Sequence, residues 1–165
     1  MLESFLTSIS ETWFAALVRD SLWGYPILET LHIIGIVTMF GSIALVDLRY
    51  LGLGRSLPAY EMGEGHLIKF TWAGFGLILL SGLSLFSAYP VDNLANPAIQ
   101  LKFMLIALAG INMLFFTFRI SKGLASLADG AAVPLAGRVS VAFSLVLWLG
   151  TIVCGRLIAY PELFQ

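Results

Sequence analysis

The sequence predicts an all-α integral membrane protein: a bundle of four transmembrane helices preceded by an N-terminal amphipathic interfacial helix. Three observations carry this. Of 165 residues, 59% are apolar and only 12% are charged, against about 45–50% and about 25% in a soluble domain. Mean hydropathy is +0.92. Four apolar stretches, residues 23–46, 67–89, 98–118 and 139–160, reach the roughly 20 residues that a helix needs to cross about 30 Å of hydrocarbon. At this length they belong to a single membrane domain.

Residues 1–19 come first. Leu2, Phe5, Leu6, Ile9, Trp13, Ala16 and Leu17 recur at helical spacing, and Glu3, Ser4, Thr7, Ser8, Glu11 and Thr12 fill the other face. Such a helix lies in the interface. Its polar face is acidic, so attraction to anionic lipid is not its role; it caps the bundle or docks a partner. Glu3 stands where a secretory signal has a basic region, and the apolar run 13–18 is closed early by Arg19 and Asp20, so no signal peptide is expected. The connections between spans carry breakers: Pro58 in 47–65, Pro90 and Pro97 in 90–97, and Pro134 in 119–138.

Lysine and arginine set the orientation. Arg49, Arg55, Arg119, Lys122 and Arg138 fall on one side, with Lys69 just inside the second span, whereas the other side has Arg19, plus Lys102 and Arg156 within the apolar runs. This bias predicts both termini outside and the two basic loops in the cytoplasm. The net charge of −1 gives nucleic acid no electrostatic footprint.

Counts limit the chemistry. The one cysteine, Cys154, and the two histidines, His32 and His66, exclude an intramolecular disulfide, a thioether-linked haem and cysteine-ligated iron–sulfur clusters. Cys154 reads as a packing residue and Asn112 as interhelical glue. Asp47 and Arg49 read as an ion pair closing the first span.

Ionisable groups inside a membrane mark a site by default. In the predicted topology Glu29, His32, Lys102 and Arg156 converge on one depth near the outer face, with Tyr25, Tyr89 and Tyr160. Two readings are open for each. Glu29 pairs Lys102 or Arg156, or it orients His32; the cations snorkel to headgroups, or they face a ligand. His32 is an axial or metal ligand, or a hydrogen-bonded structural imidazole. Gly35, one turn below, and Gly41 farther down are candidates for making room for a macrocycle. Met104, at similar depth, is the one methionine suited to a second axial position. His66 reads as a solvated interfacial residue. It lies about 20 Å in depth from His32 at 1.5 Å per residue, too far to share one iron.

The runs Ser21–Pro26, Leu31-His32-Ile33-Ile34-Gly35 and Gly41–Arg49, followed by Asn96-Pro97, Leu101-Lys102-Phe103 and Ala109–Asn112, resemble a family of four-helix bacterial inner-membrane proteins with a domain of unknown function. More distantly, the histidine opening the first span and the lysine opening the third are similar to the haem-containing membrane protoporphyrinogen oxidase family and to the copper-resistance D-like membrane proteins. The oxidase resemblance implies His32 as a b-haem ligand and Lys102 as a site residue, with Arg49 a weaker match. The chain departs from that pattern at Asn112, where a further histidine is expected, and at Val46-Asp47-Leu48-Arg49, where a proline is expected before the arginine.

The expected function is that of a b-haem-binding membrane redox protein or redox-complex subunit. His32 is its ligand, Lys102 and Arg156 face propionates, and Glu29 balances the cations or orients His32. Its partners are lipids, a quinone or a periplasmic redox protein, and further copies or subunits of a membrane complex. The alternatives are a non-catalytic accessory subunit and, ranked last, a copper-resistance-type metal-handling transporter.

Overall fold

The computed structural model describes residues 1–53, 66–121 and 133–164. Arg55, Pro58 and Lys122, used above for the connections and the orientation, lie outside the described residues. Helices account for nearly all of what is described: α1 Leu2–Ser10, α2 Trp13–Asp20, α3 Gly24–Tyr50, α4 His66–Ala88, α5 Pro90–Ala95, α6 Pro97–Phe115 and α7 Leu135–Leu157. A π-helical turn, Phe116–Ser121, continues α6. The four expected spans are present, as helices long and apolar enough to cross a membrane. The protein is an all-α bundle of the membrane type.

The N-terminal segment departs from expectation, because one amphipathic helix becomes two. Ser8, Ser10 and Thr12 turn their hydroxyls back onto the carbonyls of Phe5, Thr7 and Ile9. Such local bonds compete with the helical ladder. Thr12 then caps α2, accepting from the Ala15 N–H at 3.3 Å. Ala15 and Val18 of α2 and Leu6 of α1 are buried, while Trp13, Phe14 and Leu17 stay exposed for lipid. α2 packs on α3 and α4, and α1 packs on α5, so the segment caps one end of the bundle. Arg19 fastens it there, donating to the Ser10 carbonyl at 3.2 Å and to the Ala88 carbonyl at the end of α4 at 3.4 Å. Cations suit helix C-termini.

The connection at 90–97 also gains structure. Pro90 and Pro97 each sit in the first turn of a helix, where the missing N–H costs nothing. The Asn96 carboxamide caps α6, accepting from the Ala98 N–H at 2.9 Å. Its amide also donates to the Ile158 carbonyl at 3.2 Å. The last span ends at Leu157 rather than at 160, and Pro161 opens a short 3₁₀ turn.

Between spans the order is α4–α3–α7–α6: α3 packs on α4 and α7, and α7 packs on α6. Phe86 of α4 meets Phe103 of α6 at one end, ring centroids 6.2 Å apart. Lipid tails are as apolar as leucine, so close packing and polar links hold such helices together. A Cβ on Gly74 of α4 would stand 2.6 Å from the Met39 nitrogen and 2.9 Å from the Gly35 carbonyl oxygen. A Cβ on Gly35 would stand 2.9 Å from the Ile78 side chain. Gly35 therefore admits the α4 backbone, not a macrocycle, and Gly41 has nothing within 4 Å of its Cβ position. α6 and α7 are glued by the expected asparagine. The Asn112 amide donates to the Ser140 carbonyl at 3.0 Å, and the Ser140 hydroxyl returns a bond to Asn112 Oδ1 at 2.8 Å.

Gly74→Ala is expected to cost about 1–3 kcal/mol, the range for overpacking, because backbone atoms cannot yield as a flexible side chain does. Gly76→Ala is expected to be neutral, since nothing lies within 4 Å of its Cβ position. Thermal unfolding in one detergent, with both variants side by side, checks the pair.

Candidate functional site

Antiparallel packing brings the start of α3, the end of α4, the start of α6 and the end of α7 to one level. The depth convergence expected from the sequence is therefore present, but it divides into an inner pair and an outer pair.

His32 and Lys102 are the inner pair. His32 lies on the face of α3 that meets α4, three residues from Gly35. Its ring rests on Gly82, where a Cβ would stand 3.0 Å from the imidazole Cε1. Its Nδ1 lies 3.0 Å from the Ser81 hydroxyl oxygen. That hydroxyl has a single proton and donates it to the Leu77 carbonyl at 2.5 Å. Towards the imidazole it can only accept, so Nδ1 carries the ring proton and Nε2 keeps its lone pair. No described group hydrogen-bonds Nε2.

Lys102 reaches towards α7. Its ammonium passes Gly155, 3.6 Å from where a Cβ would lie, and is within electrostatic range of the Cys154 thiol and of His32. Gly155 thus lies directly beside the ammonium. No carboxylate pairs with this partly buried cation; the one ion pair among the described residues is Arg19–Asp20 at 3.1 Å.

Arg156 and Glu29 are the outer pair. Arg156 is exposed and turns along its own helix, donating to the Tyr160 hydroxyl at 2.9 Å with its guanidinium 5.2 Å from that ring centroid. Glu29 is exposed, within electrostatic range of Tyr25, and forms no ion pair. The expected pairing of Glu29 with Lys102 or Arg156 is absent. One turn above His32, Glu29 has access to the headgroup region and needs no buried partner. Met104 is exposed on α6. It stands two residues from Lys102, so the two side chains leave the helix on different faces.

Two other expectations are settled by the same packing. Asp47 and Arg49 do not pair: positions two apart on a helix do not face each other, and the polar neighbour of Asp47 is Ser144 of α7. Cys154 is buried among packed side chains, as expected. Among the described residues no three of His, Cys, Asp and Glu come close enough to hold a metal ion, so the protein ligand His32 offers is a single nitrogen.

Sequence reasoning missed Ser81, Gly82 and Gly155. Their signal is a stripe of small residues: Gly74 and Ser81 are seven apart, hence on one face of α4, and they mark where α3 must come close. Comparison with protein-family models, curated proteins and solved structures finds no match to this chain.

The tautomer is open to test. Nitrogen NMR of histidine-labelled protein is expected to show His32 as the Nδ1–H form. In Ser81→Ala that signal should move towards a mixture of tautomers while the fold survives. An Nε2–H signal in the unsubstituted protein would contradict the hydrogen-bond assignment.

Proposed function

We infer that the chain is a b-haem-binding membrane redox protein or redox-complex subunit, with its site at the His32 end of the bundle. One observation carries the reading. An imidazole held through Nδ1 presents an Nε2 with no hydrogen-bond partner among the described residues, beside an ammonium with no carboxylate counter-ion among them. Metal-ligating histidines have this arrangement, their second nitrogen fixed by another group. A lone cation in a membrane favours an anionic partner, and haem supplies both an iron for the nitrogen and propionates for the ammonium.

In this reading His32 Nε2 would hold the iron and Lys102 would hold a propionate. Ser81 fixes the ring orientation. Gly82 lets α4 cover the other edge of the ring and keep water from Nδ1. Arg156, braced by Tyr160, and Glu29 belong to the headgroup level, where a propionate or a docking protein meets the membrane. Bound haem would supply one-electron transfer, with a quinone or a periplasmic protein as the exchange partner. The chain sits in a bacterial inner membrane with both termini outside, alone, as copies of itself, or within a larger complex.

A second reading has an observation in its favour. The imidazole is already seated on Gly82 and bonded to Ser81, which suffices for an interhelical strut in a non-catalytic accessory subunit. Metal transport of the copper-resistance type fits less well, because the Lys102 ammonium repels a bare cation at the one imidazole available.

Absorption spectra of detergent-purified protein, oxidised and dithionite-reduced, test the reading. A Soret band is expected in the unsubstituted protein and in His66→Ala, and it should vanish in His32→Ala. Lys102→Ala is expected to keep the band but weaken haem affinity roughly tenfold or more, the worth of one charge-assisted hydrogen bond. Protein that stays colourless after haem is supplied would leave the strut as the role of His32.

A further inference from the structure

The end of the bundle opposite His32 holds a second polar cluster with no part in that reading. Asp47, in the last turn of α3, is 7% exposed. The Ser144 hydroxyl of α7 is its nearest polar neighbour across the helix contact. Oδ2 is sealed from solvent and has no hydrogen-bond partner among the described residues. One turn along α7, Ser140 is engaged with Asn112 and has no proton to offer.

The charged and titratable neighbours are few. Tyr50, on the same helix, lies within electrostatic range of Asp47 and packs on Phe116 with ring centroids 5.2 Å apart. Arg49 leaves α3 on a different face, its own Nε buried and without a hydrogen-bond partner among the described residues. On the helices packed against α3, His66 and Lys69 of α4 and Arg138 of α7 are exposed, as is Arg119 on the turn after α6. Arg19 and Asp20 of α2 and Arg156 of α7 lie at the far end. Asp47 forms an ion pair with none of the described cations.

A carboxylate there would hold a full charge in hydrocarbon with one oxygen empty, an arrangement proteins avoid. It would also sit at a helix C-terminus, where the macrodipole opposes an anion. Two kinds of ligand relieve it. A metal cation needs several oxygen ligands and room for its coordination shell, and the cluster offers one carboxyl and one hydroxyl. A proton needs neither. We propose that Asp47 is a proton-binding site: the resting protein carries its carboxyl in the protonated form, and the proton exchanges with the aqueous phase at the α3 C-terminal end. The acid releases H⁺ to water and leaves the carboxylate beside Ser144; the reverse step restores it. Three residues separate Asp47 from the end of α3, about 5 Å along the axis, which is a short exit. Nothing in this depends on the ligand at His32.

Infrared spectroscopy of the full chain in lipid vesicles tests it. The unsubstituted protein at neutral pH is expected to show the carbonyl stretch of a protonated carboxyl group, sensitive to deuterium exchange and bleached as pH rises. The band should be absent in Asp47→Asn, whose amide mimics the neutral acid in shape and should preserve the fold. In Ser144→Ala it should move to higher frequency through loss of that polar neighbour, and His32→Ala should leave it unchanged. No such band at neutral pH, a band that survives Asp47→Asn, or one that does not bleach while the protein stays folded would each overturn the proposal. Should Asp47→Asn not fold, Ser144→Ala decides, since an unmoved band would belong to another acid.

Discussion

The close approach of α3 and α4 at Gly35 and Gly74 is the contact on which the rest depends. Hydrocarbon gives helices no hydrophobic reason to associate, so backbones must come near enough for dispersion and short polar links to act. Here a Cβ on Gly74 would meet backbone, and one on Gly35 the half-buried Ile78 side chain, at under 3 Å. That proximity, continued one and two turns along α4, puts Ser81 within 3.0 Å of the His32 ring and leaves Gly82 as its seat. A wider spacing would leave the imidazole without its partner in the bilayer. The histidine site is therefore a product of helix packing as much as of the histidine itself.

Much of the architecture was legible in the sequence, because span length and apolarity are properties of a stretch taken alone. The level shared by His32, Lys102 and Arg156 was legible too, since alternating direction assigns a depth to every residue. Facing was not. Whether Lys102 looks towards His32 or Glu29 depends on the rotation of each helix about its axis, and in a helix apolar all round the pattern of residues barely encodes it. Asp47 and Arg49 show the cost of reasoning from proximity in sequence: opposite charges two positions apart suggested a pair, whereas helical geometry sends them apart and leaves Asp47 beside Ser144. The break at Glu11 and Thr12 was missed for a different reason. Apolar periodicity runs through it, and only the hydroxyls' appetite for nearby carbonyls marks the stop.

Among the described residues, three polar contacts between side chains of different spans divide the labour in a way that burial alone does not reveal. His32 with Ser81 joins α3 to α4, Asn112 with Ser140 joins α6 to α7, and Asp47 with Ser144 joins α3 to α7. The first two lie within pairs adjacent in the chain. Only the third crosses the seam between the pairs, and it is the one that involves a carboxyl group. The state of that carboxyl thus bears on how firmly the two halves hold together.

The row order α4–α3–α7–α6 also carries a consequence for assembly. Each adjacent pair of spans can form as a hairpin from contacts local in sequence, and the imidazole is oriented wholly within the first. The ammonium belongs to the second and arrives only when the hairpins dock. Any ligand touching both groups bridges the seam, and by mass action it stabilises the docked state over the separated one. Occupancy of the His32 end and cohesion of the bundle are therefore one thermodynamic quantity seen from two sides.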